Sequence, residues 1–203
     1  MKKRHIIILL VLFLASPVFG QSENDFDISL NPQGNVTITG YRGTAKQVVI
    51  PSTIEGVKVT DIRSDVFRRK QLTSVTIPNT ITIIATDTFR ENQINSVTIP
   101  NSITIIGDRA FMYNQLTSVT IPDSVTSIGI SAFQNNQLTS VTIPKSVTSV
   151  GKSAFHNNQL TSITIPTNVS YAGEFPNNFK AYYDSQGRKG GTYTWSGRLW
   201  SVK

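Results

Sequence analysis

The chain has 203 residues, a formal net charge of +7 and no cysteine. Without cysteine there can be no disulfide, no thiolate nucleophile and no zinc site built on sulfur, so stability must come from packing. The basic excess is mild: without Lys2, Lys3 and Arg4, 16 basic residues face 12 acidic ones for a net of +4, which argues against a nucleic-acid partner.

Those three cations open the chain, Ile6 to Ala15 follow as an apolar run, and Val18-Phe19-Gly20 ends in a small residue. This order is that of a secretory signal, so residues 1–20 are read as a signal peptide cut before Gln21. The apolar run is far shorter than the roughly 20 residues that span a bilayer as a helix. Nothing later is apolar enough to do so, and no cysteine follows the cut to carry a lipid. The mature protein is therefore expected to be secreted or at the cell surface, or else periplasmic, with no transmembrane segment.

Residues 21–46 read as an N-terminal cap. Ile28-Ser-Leu30, the turn Asn31-Pro32-Gln33-Gly34-Asn35 and Val36-Thr-Ile38-Thr39 predict a hairpin. Residues 47–176 read as one repeat array. Val48-Val49-Ile50-Pro51 starts a first unit, lengthened by an insert around Glu55-Gly56-Val57-Lys58-Val59, so that Pro51 lies 27 residues before Pro78. From there Pro78, Pro100, Pro122, Pro144 and Pro166 recur every 22 residues, as do Phe67, Phe89, Phe111, Phe133 and Phe155. A third class, Gln71, Gln93, Gln115, Gln137 and Gln159, keeps the same period, which lies within the range of leucine-rich repeats.

Within a unit, Leu116, Val119 and Ile121 carry the leucine-rich spacing. The alternation Ser118-Val119-Thr120-Ile121 has the period of a half-buried strand with β-branched residues, and Pro122 ends it by removing a donor. Val125, Ile128, Gly129, Ala132 and Phe133 suit an irregular or short helical return path with phenylalanine plugging the interior. One unit alone cannot fold. About six apolar side chains, worth roughly 1.5–3 kcal/mol each when buried, cannot offset roughly 1–2 kcal/mol of backbone entropy per residue over the whole unit. Stacked units share strand hydrogen bonds and a continuous core, so the expected fold is a repeat solenoid with a curved parallel β-sheet and capped ends.

Residues 177–203 read as a C-terminal cap or tail. The Ala-Phe plug fails at Phe175-Pro176-Asn177, and Thr192 to Trp195, the turn Ser196-Gly197 and Arg198 to Trp200 predict a second hairpin. Tyr193, Trp195 and Trp200 can cover the last rung, or can contact a sugar or the cell envelope, since exposed aromatics favour recognition.

Leu116-Thr-Ser-Val-Thr-Ile-Pro-Asp-Ser-Val-Thr-Ser-Ile-Gly-Ile-Ser-Ala-Phe133 resembles the unit of the BspA-like, treponeme-type leucine-rich repeats. Asn35-Val-Thr-Ile-Thr-Gly-Tyr-Arg-Gly-Thr44 resembles their lead-in, and Gly187 to Trp195 is similar to endings of spirochaete members. The resemblance runs from about Val36 to Val169. It implies an exported or surface protein, often one that adheres to matrix proteins, host cells or other bacteria, and it carries no catalytic residues.

The residues themselves point away from catalysis. His156 is the single histidine after Gln21, and Gln134, Met112 and Arg90 hold its place in earlier repeats, so it reads as a variable solvent position. Asp108 and Asp123 fall at different places in the unit and form no acid pair or calcium loop. No enzyme activity, catalytic residue, metal, cofactor or small-molecule substrate is expected. The Arg68-Arg69-Lys70 run reads as a solvated face. The regular polar feature is a ladder of Ser74/Thr76, Ser96/Thr98, Ser118/Thr120, Ser140/Thr142 and Ser162/Thr164, pointing away from the core by strand alternation. Short hydroxyl residues suit a crowded concave strand face, and the same ladder can be a docking strip for an extended peptide or glycan. Ice binding needs a flat template, which leucine-rich sheets do not offer. Asn79, Asn101, Asp123, Lys145 and Thr167 vary after the proline and can specify a partner, whereas Asn92, Asn114, Asn136 and Asn158 are expected to bond backbone inside the turns. The partner class is a protein or glycoprotein ligand; the alternative is an envelope scaffold binding another bacterial component.

Overall fold

The structure is a computed structural model that describes residues 22–167, 169–171 and 179–202. The signal-peptide reading and the failed plug at Phe175-Pro176-Asn177 lie outside the described residues.

The N-terminal cap is the expected hairpin. Strands β1 (Phe26–Leu30) and β2 (Val36–Tyr41) pair antiparallel. The Asn31 side chain accepts from the Gln33 and Asn35 amides and holds the turn, with Gly34 at φ 78°. Strand β3 (Gln47–Val49) opens the first rung, and the insert forms a second hairpin of β4 (Thr53–Ile54) and β5 (Val57–Ile62) across a Glu55-Gly56 turn with both φ positive. β5 also pairs with β2 in parallel, which ties the insert to the cap.

From β6 onward every unit but that of Leu116 contributes two short strands instead of one. The leucine-rich segments form a first row: β3, β6 (Ser74–Thr76) and β8 (Ser96–Thr98) pair in parallel, as do β11 (Ser140–Thr142) and β13 (Ser162–Ile165). Between them the rung at Thr120 keeps only a single bridge to Thr98. The return path differs from the expected irregular or helical one. β7 (Ile83–Ile84), β9 (Ile105–Ile106), β10 (Ser127–Ile128), β12 (Ser149–Val150) and β14 (Ser170–Tyr171) form an unbroken second parallel row. From β7 to β12, two residues, the second of them a buried isoleucine or valine, suffice once a neighbouring rung supplies the hydrogen bonds. That row carries the solenoid past the weak rung of the first.

The core lies between the rows. Leu116, Ile121, Val125, Ile128, Ala132 and Phe133 are all buried in one unit, and the phenylalanines stack along the axis. Phe67, Phe89, Phe111, Phe133 and Phe155 have successive ring centroids 5.3–5.5 Å apart and interplanar angles of 6–18°. Tyr41 and Phe26 close this stack at one end, with centroids 5.3 and 6.5 Å from Phe67.

Rung spacing also explains the recurrent Gly107, Gly129 and Gly151. A Cβ on Gly129 would lie 2.5 Å from the Asp108 nitrogen and the Gly107 carbonyl carbon of the preceding rung. Backbone cannot yield as a flexible side chain can. Gly129→Ala is therefore expected to cost about 2 kcal/mol through forced separation of the rungs, read as a lower urea midpoint at unchanged slope; an unaltered midpoint would show that the rungs are looser than this.

The tail is a cap. Helix α1 (Phe179–Ser185) is followed by β15 (Gly191–Trp195) and β16 (Trp200–Val202), and β15 pairs antiparallel with β13. The first row thus ends in a reversed strand and the expected hairpin, with Trp195 opposite Trp200. Phe179, Tyr183 and Tyr193 are fully buried, and rings of Phe179 and Tyr193 meet edge to face at 5.1 Å.

Candidate functional site: the hydroxyl face of the first strand row

Each unit positions its hydroxyls by simple alternation. In β11, Val141 turns inward and Ser140 and Thr142 are exposed; in β6, Val75 is buried and Thr76 exposed. Parallel in-register pairing places Ser74 beside Ser96, Thr76 beside Thr98, Ser140 beside Ser162 and Thr142 beside Thr164. Ser118 and Thr120 are exposed on the rung between the two halves of the row, where Thr120 bridges to Thr98.

The cap extends this face, which sequence reasoning missed. β15 sets Thr194 opposite Ser162 and Thr192 opposite Thr164, and β16 sets Ser201 opposite Thr194. Thr164 and Thr192 share a hydrogen bond of 2.9 Å, Thr194 and Ser201 one of 3.1 Å. The alternating Thr-Tyr-Thr of the tail was the available signal, masked by its aromatics. Of the tail contacts singled out from sequence, Tyr193 and Trp200 are buried and Trp195 is half-buried. Tyr193 and Trp200 are therefore cap packing, not free contact points. The Tyr193 hydroxyl donates to the Lys189 carbonyl, and burial pushes its pKa above the ordinary phenol value.

Hydroxyls within the strands and those just before them are used differently. Before the second-row strands, Thr104, Thr126 and Thr148 donate to the carbonyls of Thr82, Thr104 and Thr126 at 3.2–3.3 Å, and before first-row strands Thr73 and Thr161 donate likewise to those of Lys46 and Thr139 at 3.3 Å. Ser102 and Ser124 donate at 2.6 Å to Ile81 and Ile103. In the first row, from Ser74 to Ser162, the ladder hydroxyls make no hydrogen bond to other described residues, and most are exposed to solvent.

Grooves flank the hydroxyl strip on its proline side. One of about 880 Å³ is lined by Thr142, Pro144, Lys145, Thr164, Pro166 and Gly190, with Asp123 at its rim. A smaller one, of about 450 Å³, lies between Thr76, Asn79, Thr98 and Asn101. The structure thus brings the variable residues after proline next to the hydroxyl strip. It keeps the row after phenylalanine apart: Arg90, Met112, Gln134 and His156 are half-buried in the turns. Half-burial also corrects the reading of His156 as a solvent position.

Those turns hold the charge and the asparagines. Asn92, Asn114, Asn136 and Asn158 do bond backbone, each across two rungs. The Arg68-Arg69-Lys70 run is not a plain solvated face. Arg68 pairs with Asp65 at 3.2 Å and with Glu91 of the next rung at 3.1 Å, and Arg69 also pairs with Glu91. One rung on, Asp87 is buried and accepts three contacts from Arg109 at 2.7–3.2 Å and one from Arg90 at 3.3 Å. Burial pushes its carboxyl pKa up, but hydrogen bonds and charge from Arg109 and Arg90 outweigh this and hold it below the usual carboxylate range.

A carboxylate with a depressed folded pKa stabilises above its unfolded value, near 3.9, and loses that stabilisation as pH falls through the folded one. Asp87→Asn is expected to cost about 2 kcal/mol at pH 7, with the gap to the parent closing below about pH 4. Urea unfolding at both pH values checks this; a gap independent of pH would mean that shape and not charge holds the turn.

Among the described residues no cluster of histidine, cysteine, aspartate or glutamate could hold a metal ion, and no helix is long and apolar enough to cross a membrane. Two stacked strand rows, 22-residue units and a polar strand face define the class: a leucine-rich-repeat solenoid. The chain belongs to the BspA type leucine rich repeat family, whose model matches residues 60–181 in six copies. Among solved structures it is similar to the leucine rich repeat protein of T. pallidum, with a TM-score of 0.68 at 22% identity over 82% of this chain and 95% of that one. A leucine-rich repeat protein from Bacteroides ovatus gives 0.62 at 26% identity, covering 74% of this chain but 42% of that one. The pneumococcal vaccine antigen PcpA gives 0.50 at 20% identity, covering 73% and 48%. No curated protein matches the chain in sequence.

Proposed function

We propose that this protein is exported under residues 1–20 and acts without catalysis, presenting its hydroxyl face to a protein or glycoprotein in adhesion or cell-surface interaction. The carrying observation is the hydroxyl ladder of the first row, which parallel pairing holds in register from rung to rung. From Ser74 to Ser162 these hydroxyls bond no other described residue and most face solvent, with donors and acceptors unspent. Rungs about 4.8 Å apart repeat hydroxyls at a spacing suited to an extended polar ligand, and the grooves at Asn79 and Lys145 give side chains of that ligand a place to enter.

Two measurements test the reading. Protease added to intact cells is expected to digest the protein; protection until the outer membrane is permeabilised would place it in the periplasm and favour an envelope scaffold instead. Purified protein beginning at Gln21 is expected to bind immobilised extracellular-matrix protein. A Thr98→Lys/Thr142→Lys variant should lose that binding and Ser149→Lys, on the second row, should keep it; equal binding by all three would exclude the hydroxyl face.

A further inference from the structure

Both ends of the solenoid leave part of the core face uncovered. In β1, Ile28 lies opposite buried Ile38 and Leu30 opposite buried Val36. Directly opposed residues of an antiparallel pair share a face of the sheet. Ile28 and Leu30 therefore continue the core face outward, yet they are 38% and 65% exposed. At the other end, Val202 lies opposite fully buried Tyr193 and is 39% exposed, and Leu199, just before β16, is 74% exposed. Among the described residues β1 and β16 are the outermost strands of their sheets. Edge strands that keep apolar side chains, with no lysine or proline among them, are poised to pair.

The two ends also differ in charge. Residues 23–62 hold five carboxylates against three cations, a net of −2, whereas residues 179–202 hold four cations against Asp184 alone, a net of +3. Asp184 is engaged by Arg188 at 2.9 Å, and Lys189 and Arg198 add to the positive charge of this end. The caps also lie on different walls of the solenoid. β16 ends the first row, while β1 reaches the second through β2 and β5, which contacts β7. Each end therefore offers the wall that the other lacks.

We propose that this protein associates with itself head to tail, the basic C-terminal cap of one copy seating on the acidic N-terminal end of the next, with Leu199 and Val202 over the first-row edge at β3 and Ile28 and Leu30 over the second-row edge at β14. Such a contact is heterologous: it uses two different surfaces and leaves a free one at each end, so it propagates instead of closing as a dimer. The proposal does not depend on what the hydroxyl face binds.

Sedimentation of the chain beginning at Gln21 is expected to show a mass that rises with concentration beyond a dimer and falls when salt screens the caps. Leu30→Lys should block one end and Leu199→Lys the other, each alone giving monomer. Mixed in equal amounts they should give a dimer and nothing larger, because one intact end remains on each. Circular dichroism checks that both are folded, and Ile28→Lys with Val202→Lys serves as a second pair. A parent chain that stays monomeric at every concentration, or a mixture that fails to dimerise, overturns the proposal.

Discussion

Replacing Asn136 by alanine is expected to destabilise the solenoid by about 4 kcal/mol, the sum of one orphaned donor and two lost hydrogen bonds. The Asn136 oxygen accepts from the Leu116 amide of the preceding rung at 3.0 Å, and its nitrogen donates to the carbonyls of Phe111 at 2.9 Å and Phe133 at 3.1 Å. The side chain is buried, so water does not readily replace it. Both carbonyls keep a second bond, from Asn114 and Asn158 respectively, but the Leu116 amide has no other partner among the described residues. Urea unfolding measures the loss. Asn136→Asp separates geometry from size: it retains the acceptor but turns a carboxylate toward two carbonyls. Those dipoles and burial raise its folded pKa. Its penalty should therefore shrink as pH falls through that value, whereas the alanine variant should show no such recovery. A cost below about 1 kcal/mol for alanine would mean that water enters the turn and serves the Leu116 amide.

Truncating Phe111 to alanine should cost about as much, roughly 4 kcal/mol, by a different route. Its ring is fully buried, with Phe89 at 5.3 Å on one side and Phe133 at 5.5 Å on the other. Each rung in a solenoid touches only its neighbours, so the void cannot be filled from elsewhere in the fold. The cost should appear as weaker coupling between the halves, with unfolding that becomes less cooperative as well as less stable. Phe111→Leu keeps most of the volume and should recover more than half of the loss. A sharp single transition for Phe111→Ala with an unchanged midpoint would show that the stack is ornamental to stability.

What was legible in the sequence follows from period. A 22-residue spacing shared by proline, phenylalanine and glutamine fixes the solenoid, the stacked core and the inward or outward sense of each strand residue, because these depend only on alternation within a unit. The role of the asparagines was legible for the same reason. The second parallel row was not. Ile105-Ile106 and Ser127-Ile128 are two residues long, too short to show any period, and become strands only because a neighbouring rung supplies their partners. The pairing of Arg68 and Arg69 with Glu91 was hidden likewise, since residues more than 20 positions apart meet only when rungs stack.

The candidate site divides along the same line. Sequence by itself determined which hydroxyls point outward from the first row, since strand alternation is local. Tertiary structure alone decided three further things: that the hydroxyls from Ser74 to Ser162 bond no other described residue while Thr164 is bonded to Thr192, that Thr192, Thr194 and Ser201 of the tail join their face, and that Tyr193 and Trp200 are buried beneath it. Each depends on which backbone group or strand edge comes to lie beside a residue after the chain has wound, and that neighbour is set by the stacking of rungs and the reversal of the last strand.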